Sequence, residues 1–310
     1  MALLTALCSL RHNNLLRATA IYCLHVEHAL RPAEESCGDA EFVRTFCKEQ
    51  EIECYIEHLP PGKIADYAKR RGTGIEAAAR HFRHRAFRKH SAQLGEKTII
   101  LLAHTKDDLL ETALMRVLRG VGPAGLAAMP QKRGRLLRPL LSMTRADVTG
   151  YLKAKNISWR EDSTNTDLKF LRNRVRHQIV PLLNESFPSW KAGLSAMAQT
   201  QRLVADFLSK EAQMRVCWEQ KDGNFVTDAE NFFAQDEIVR EEALFQGINA
   251  LPHASTSSVP KRAVIRRFCE GEITAADLGA VRVKVETGTV SLSRIYKDFS
   301  ESGYSMLIEE

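Results

Sequence analysis

The sequence predicts an α/β chain: a doubly wound, mostly parallel sheet followed by a smaller C-terminal α+β domain. Two observations carry this. Over residues 1–180, short strand-like runs alternate with segments of helical periodicity, the signature of strand–helix–strand crossovers. From Pro181 onward that alternation stops and turn pairs suited to hairpins take over. A length of 310 residues accommodates two cores. The expected divisions are 1–185, a linker helix over 186–214, and 215–310.

Each element has a local reason. Met1–Leu10 is apolar but has no basic stretch before it, so it reads as a buried helix and not a signal peptide. Leu16–Val26 is a first strand and Glu34–Gln50 a helix. Glu53–Leu59 is a second strand, stopped by Pro60-Pro-Gly62. Gly74–His90 is a long helix with Ile75, Ala79, Phe82 and Ala86 as its apolar stripe. Thr98–Ala103 is an apolar run, β-branched at its start, expected as a strand covered on both faces. Thr105 can cap the next helix, Lys106–Arg119, with Asp108 three positions on. A Gly/Pro loop over Gly120–Gly125 precedes a fourth strand, Leu136–Leu141, and a helix over Thr144–Lys155. Leu168, Leu171, Val175 and Ile179 give one apolar face to a helix that Pro181 should end. Trp190, Leu194, Met197, Leu203, Val204 and Phe207 suggest a helix bridging the two domains. Lys221-Asp-Gly-Asn224 and Glu286-Thr-Gly-Thr289 are hairpin turns; Glu237–Leu251 and Pro260–Cys269 look helical, and Ser305–Ile308 reads as a strand.

Composition narrows the class. Hydrophobic content of 44% and charged content of 26% are those of an ordinary globular protein. No apolar run reaches the ~20 residues of a membrane-spanning helix, and no membrane partner is expected. The net charge of +6 suggests an anionic partner. The seven cysteines are scattered and form no C-x-x-C pair, which argues for reduced thiols in a cytoplasmic protein. Spacing therefore gives no support for a zinc or iron–sulfur site, and each cysteine is expected to be a small core hydrophobe.

Four places carry candidate chemistry. At the end of the third strand, His104, Asp107, Asp108 and Glu111 gather, and Asp108 and Glu111 share one helix face. Two acids beyond a strand's carboxyl end can hold Mg²⁺ against a triphosphate, hold a substrate ammonium, or merely complement the helix dipole. The helix from Gly74 carries Arg80, Arg83, Arg85, Arg88 and Lys89, either a solvated face or an anion site. Lys169, Arg172 and Arg176 form a basic stripe suited to nucleic-acid phosphate or a carboxylate. His25 and His28, at the end of the first strand, suit the rim of a nucleotide site better than a metal, since no third ligand stands near.

Taken together and in order, these segments resemble the tRNA(Ile)-lysidine synthetases. The carrying stretches are Leu24-His-Val-Glu-His-Ala-Leu-Arg-Pro32, Gly74-Ile-Glu-Ala-Ala-Ala-Arg80, Leu102-Ala-His-Thr-Lys-Asp-Asp-Leu-Leu-Glu-Thr112, Leu118-Arg-Gly-Val-Gly-Pro-Ala-Gly-Leu126, and Glu161–Asp167 through Arg172-Asn-Arg174. That family belongs to the PP-loop ATP pyrophosphatases, which implies a Rossmann-like sheet of the adenine nucleotide alpha hydrolase type. The resemblance covers residues 1–185 strongly and the remainder weakly. It implies ATP-dependent transfer of free L-lysine to C2 of the wobble cytidine of a CAU-anticodon tRNA(Ile), through an adenylated tRNA. Implied cofactors are ATP and Mg²⁺, and a homodimer is in keeping with related enzymes. Implied catalytic residues are Arg80, His104, Asp108 and Glu111, with Asp108 and Glu111 also as Mg²⁺ ligands. His25 and His28 would border ATP. Arg83, Lys169, Arg172, Asn173 and Arg176 would meet tRNA, as would the C-terminal module.

One departure accompanies the match. The family carries an SGGxDS phosphate loop after its first strand, and the 310 residues contain no such segment. The expectation is that Met1 is an internal methionine, or that the loop has been lost; the chain as written is then weakly active or inactive, and less stable. Two rivals follow: a non-catalytic tRNA-binding remnant, and a PP-loop tRNA thiolase, which the lack of paired cysteines disfavours.

Overall fold

The computed structural model describes residues 1–18, 20–127, 129–161, 163–251 and 262–295. The chain divides into two compact units, Met1–Leu203 and Val204–Glu310.

In the first unit, α1 (Ala2–His12) leads to β1 (Tyr22–Glu27), α2 (Ala33–Glu49) and β2 (Glu53–His58). β1 and β2 are parallel, with Tyr22 opposite Glu53 and Glu27 opposite His58. A parallel pair needs a crossover, and α2 supplies it. The first strand starts at Tyr22, not at Leu16, because its ladder begins only where β2 offers a partner. Helices α3 (Lys63–Arg71) and α4 (Ile75–Leu94), the first of them missed by the sequence reading, share a core of Ile64, Ala68, Ala78, Ala79 and Phe82. Gly72, at φ +60°, ends α3 in a left-handed conformation that a side chain would strain.

Next come β3 (Ile100–Leu101), α5 (Lys106–Leu118), α6 (Pro123–Leu126), β4 (Lys132–Arg133), β5 (Leu136–Leu137) and α7 (Arg145–Ala154). β3 and β5 are parallel, β4 is antiparallel to β5, and the order is β3-β5-β4. The expected third and fourth strands thus shrink to two residues each. Nor is the third covered on both faces: Ile99, just before it, is 63% exposed. Among the described residues β3 pairs along one edge only, and the β1–β2 pair forms a separate sheet. Both short strands deliver polar residues just beyond their carboxyl ends, His104 after β3 and Arg138 after β5.

The segment expected as one helix ending at Pro181 is more elaborate. A 3₁₀ turn over Ser163–Thr166 precedes α8 (Leu171–Arg174), a π-helical turn over Val175–Ile179, and α9 (Val180–Ser186). Pro181 does not end the helix; it sits in the first turn of α9. The wider π turn accommodates the missing N–H and the ring bulk of Pro181 that a regular α-turn would not. The expected apolar face also fails. Val175 is 1% exposed, whereas Leu168 and Leu171 are 43% and 39% exposed. Helix α10 (Trp190–Arg215) follows, and its Leu194 and Ala198 pack on Leu109 and Ala113 of α5.

The second unit is α+β. It contains β6 (Glu219–Lys221), β7 (Asn224–Asp228), α11 (Ala229–Phe233), α12 (Glu237–Ala250), α13 (Arg262–Cys269), β8 (Ala275–Leu278), β9 (Val281–Glu286) and β10 (Thr289–Arg294). The antiparallel order is β6-β7-β10-β9-β8. Both expected hairpins form. Asp222 and Gly223 have φ +50° and +75°, and Thr287 and Gly288 have φ +46° and +77°, the paired positive values of a twist-matched two-residue turn. Phe232, Leu244, Ile248, Ile265, Phe268 and Leu292 are completely or almost completely buried at its centre. The strand expected at Ser305–Ile308 lies outside the described residues.

Candidate active site

The site forms where β3, β5 and the starts of α4 and α5 end together. Thr105 opens α5 with a capping box. Its backbone N–H donates to Asp108 Oδ2 at 2.8 Å and its hydroxyl at 2.9 Å, while the Asp108 N–H returns a bond to the Thr105 hydroxyl at 3.4 Å. The cap fixes the Asp108 carboxylate over the positive end of the helix. One turn on, Glu111 is 3% exposed.

The charge of this buried pair is answered by α8 and the π turn. Arg172 Nη2 donates to Asp108 Oδ1 at 2.8 Å, and its Nε donates to Glu111 Oε2 at 2.8 Å. Arg176 grips Glu111 with two bonds, Nε to Oε1 at 2.7 Å and Nη2 to Oε2 at 2.9 Å. Arg145 Nη2 approaches Asp108 Oδ1 at 3.8 Å, and the Arg145 N–H donates to Asp107 at 2.6 Å. Burial alone would raise the pKa of Asp108; the Thr105 N–H and the Arg172 guanidinium outweigh it and hold the carboxyl below its usual range. Arg176 is pushed down by burial and, more strongly overall, up by Glu111, so it stays charged.

A second group of cations faces this one. Arg83 is half-buried, and burial followed by Arg80 and Arg172 lowers its pKa. Arg80 keeps an exposed face, yet shielding of the rest of its side chain, then Arg133 and Arg172, lower its pKa too. Arg116 donates to the Gly125 carbonyl at 2.7 Å, and Arg138, 3% exposed, donates to the Pro130 carbonyl at 2.8 Å. Both are depressed by burial and by Arg80 and Arg133. Guanidiniums that lower one another's pKa are poised for an anion with several charged oxygens.

Two histidines border these cations. Burial lowers the pKa of His104 to about 4, with Arg138, Arg172 and Arg80 adding to it against the pull of Asp108. His28 falls to about 4 through burial, then Arg83 and His25. The Nδ1 atoms of both are buried without a hydrogen-bond partner.

The structure therefore brings Arg80, Arg83, His28, His104, Asp108, Glu111, Arg172 and Arg176 into one electrostatic neighbourhood. His25 touches this neighbourhood only through His28; after burial, its main influences are Asp39, Glu27, His58 and Arg31. Lys169 is exposed. Asn173 requires a correction. It is buried, and its Nδ2 donates to the Thr164 carbonyl at 2.7 Å and the Asp167 carbonyl at 2.9 Å. Its amide thus pins the loop to the helix and has no hydrogen left for tRNA. Both Glu111 oxygens and both Asp108 oxygens already accept bonds in this arrangement, so any cation seated on the acidic pair, Mg²⁺ included, would have to displace a guanidinium. Arg116, Arg133, Arg138 and Arg145 join the site outside the four places that carry candidate chemistry in the sequence. For Arg138, its position after a parallel strand was a usable signal. The others converge only in three dimensions.

A sheet carrying charged residues beyond its strand ends, with an arginine group suited to phosphates, defines a nucleotide-handling α/β domain. The pattern of the PP-loop domain family matches residues 1–183, and the chain belongs to that family. More particularly, it is similar to tRNA(Ile)-lysidine synthases. It is 40% identical to that of Treponema denticola over 198 residues, which is 62% of this chain and 43% of that one. The Pseudomonas aeruginosa protein is 38% identical over 64% of this chain and 43% of its own length. For Thermotoga maritima the figures are 31%, 76% and 56%. The chain spans about half the length, or less, of these curated relatives. No helix among the described residues is long and apolar enough to cross a membrane.

Proposed function

We propose that the chain carries the catalytic domain of a tRNA(Ile)-lysidine synthase. ATP adenylates the C2 oxygen of the wobble cytidine in a CAU-anticodon tRNA(Ile) and pyrophosphate leaves; the ε-amine of free lysine then attacks C2, displacing AMP. The observation that supports this best is the opposition of the Asp108–Glu111 pair to the Arg80–Arg83–Arg116–Arg133–Arg138 group across the strand ends. The arginines hold phosphoryl oxygens, and the acidic pair seats the lysine ammonium in place of a guanidinium that moves aside. Glu111 is the stronger seat, being the more deeply buried and accepting three guanidinium bonds. His104 borders the acidic pair, and its buried Nδ1, which has no hydrogen-bond partner, is available to orient a reacting group. Residues of the second unit contact the tRNA body.

The 310 residues contain no Ser-Gly-Gly-x-Asp-Ser segment, so a backbone N–H cradle of that kind for pyrophosphate would have to come from outside them. A second reading is a tRNA-binding remnant. One experiment separates the two. The chain, alone and with a family strand and SGGxDS loop fused ahead of Met1, is incubated with ATP, labelled lysine and tRNA(Ile). Lysidine in digested tRNA from the fused form supports the enzyme. Salt-sensitive tRNA binding with no lysidine from either form supports the remnant.

A further inference from the structure

The β1–α2–β2 crossover contains a feature that the nucleotide site does not use. Cys23 in β1 lies directly opposite Cys54 in β2, so both side chains leave the sheet on the same face. Cys47, in the last turns of α2, has no exposed surface. The three Sγ atoms lie within 4.8 Å of one another.

Three thiolates around one ion at a metal–sulfur distance of ~2.3 Å form a triangle ~4.0 Å on a side. The observed triangle is within about an ångström of that size, and small side-chain rotations close the difference. We propose that Cys23, Cys47 and Cys54 form a binding site for a soft divalent metal ion of the Zn²⁺ class, which ties the strand, the crossover helix and the second strand together.

The chemistry narrows the ion. The group contains sulfur only, with no carboxylate or imidazole, so hard ions such as Mg²⁺ and Ca²⁺ are poorly matched. Binding releases protons: M²⁺ and three Cys–SH give M(S–Cys)₃⁻ and three H⁺. A divalent ion leaves one net negative charge in a partly buried place, whereas a monovalent ion leaves two, and the smaller residual charge is favoured. Ordinary core packing is satisfied by three unrelated small side chains. Convergence of three sulfurs from three separate elements goes further than packing demands. Cys23 and Cys54 are only half-buried, which leaves an approach from the surface. The wide spacing explains why the sequence did not signal it: the ligands are 24 and 7 residues apart on different elements.

The test uses the full 310-residue chain, reduced and stripped with chelator, titrated with Cd²⁺. The expected result is one equivalent bound, with a sulfur-to-cadmium absorption of three-thiolate intensity, and Zn²⁺ bound beforehand should be displaced by Cd²⁺. Alkylation mapped by mass spectrometry should then show Cys23, Cys47 and Cys54 protected by bound Cd²⁺, and Cys8, Cys37 and Cys217 not. The mapping needs no variant, so it stands even where a core substitution unfolds the chain. In variants that keep their circular dichroism, Cys47→Ala and Cys54→Ala should each weaken Cd²⁺ at least tenfold, and Cys37→Ala should not. Absence of stoichiometric binding, protection of other cysteines, or full affinity in folded Cys47→Ala overturns the proposal.

Discussion

The Nε of Arg172 lies 2.8 Å from Oε2 of Glu111, a carboxylate that is 3% exposed and that, among the described residues, pairs with Arg172 and Arg176 alone. A buried carboxylate of this kind is costly unless answered, so the two arginines and Glu111 stand or fall together.

Replacing Glu111 with Ala leaves two guanidiniums facing an apolar gap. The expected loss is about 3–5 kcal/mol of stability. Arg172→Ala removes one partner while Arg176 still holds Glu111, so its cost is smaller, about 1–3 kcal/mol. Urea denaturation of both variants checks this order; a larger loss for Arg172→Ala contradicts it.

Acid sensitivity should set in above the carboxylate range. Burial, with nearby arginines, lowers His28, His84 and His104 from 6.5 to about 4. Between those values the unfolded chain takes up protons that the folded histidines refuse, so stability falls as pH drops from 6.5 toward 4 and then levels. Asp108, whose folded pKa is depressed, adds a further loss only at lower pH, as it protonates. Urea midpoints measured near pH 7 and pH 5 reveal the slope, and the His28→Gln, His104→Gln double variant should reduce it while leaving the share of His84.

Arg83→Ala removes one member of the cation group without touching the Asp108–Glu111 clamp. On the proposed function it weakens tRNA binding and lowers the slope of log affinity against log salt by about 1. Anisotropy titrations at several salt concentrations measure this; an unchanged slope places Arg83 away from phosphate.

In the second unit, Gly247 sits under the sheet. A Cβ there would come 2.4 Å from Leu292 Cδ1 and 3.0 Å from the Trp218 ring. Leu292 is fully buried and has little room to retreat, so Gly247→Ala should destabilise this unit by about 1–3 kcal/mol. A thermal melt followed by Trp218 fluorescence reports it.

The sequence disclosed most where one local rule decides the outcome. Thr105 and Asp108 announce a capping box from spacing alone, and Asp222-Gly223 and Thr287-Gly288 announce their hairpins. It disclosed less where the result depends on distant pairing. Thr98–Ala103 has the composition of a full strand, but ladder length is set by the short reach of β5, four elements downstream. For the site, Asp108, Glu111 and Arg172 were visible as motif residues. That Arg172 and Arg176 close on the two acids was not, since 61 residues separate Arg172 from Glu111. Asn173 was expected at the tRNA through the family resemblance alone, and only the loop at Thr164–Asp167 reveals that its amide turns inward.

The π turn at Val175–Ile179 has a consequence for sequence change in this region. Such a turn holds one more residue than an α-turn of similar rise, so it shifts the phase of everything after it by about 100°. Deleting one residue between His177 and Ile179 would let the helix run regularly, but it would set Pro181 against an ordinary turn and rotate α9 away from its present heading. Insertions and deletions, usually best tolerated in loops, would here be decided by the arithmetic of a helix. A single lost codon in this stretch should be more damaging than most substitutions at the same positions.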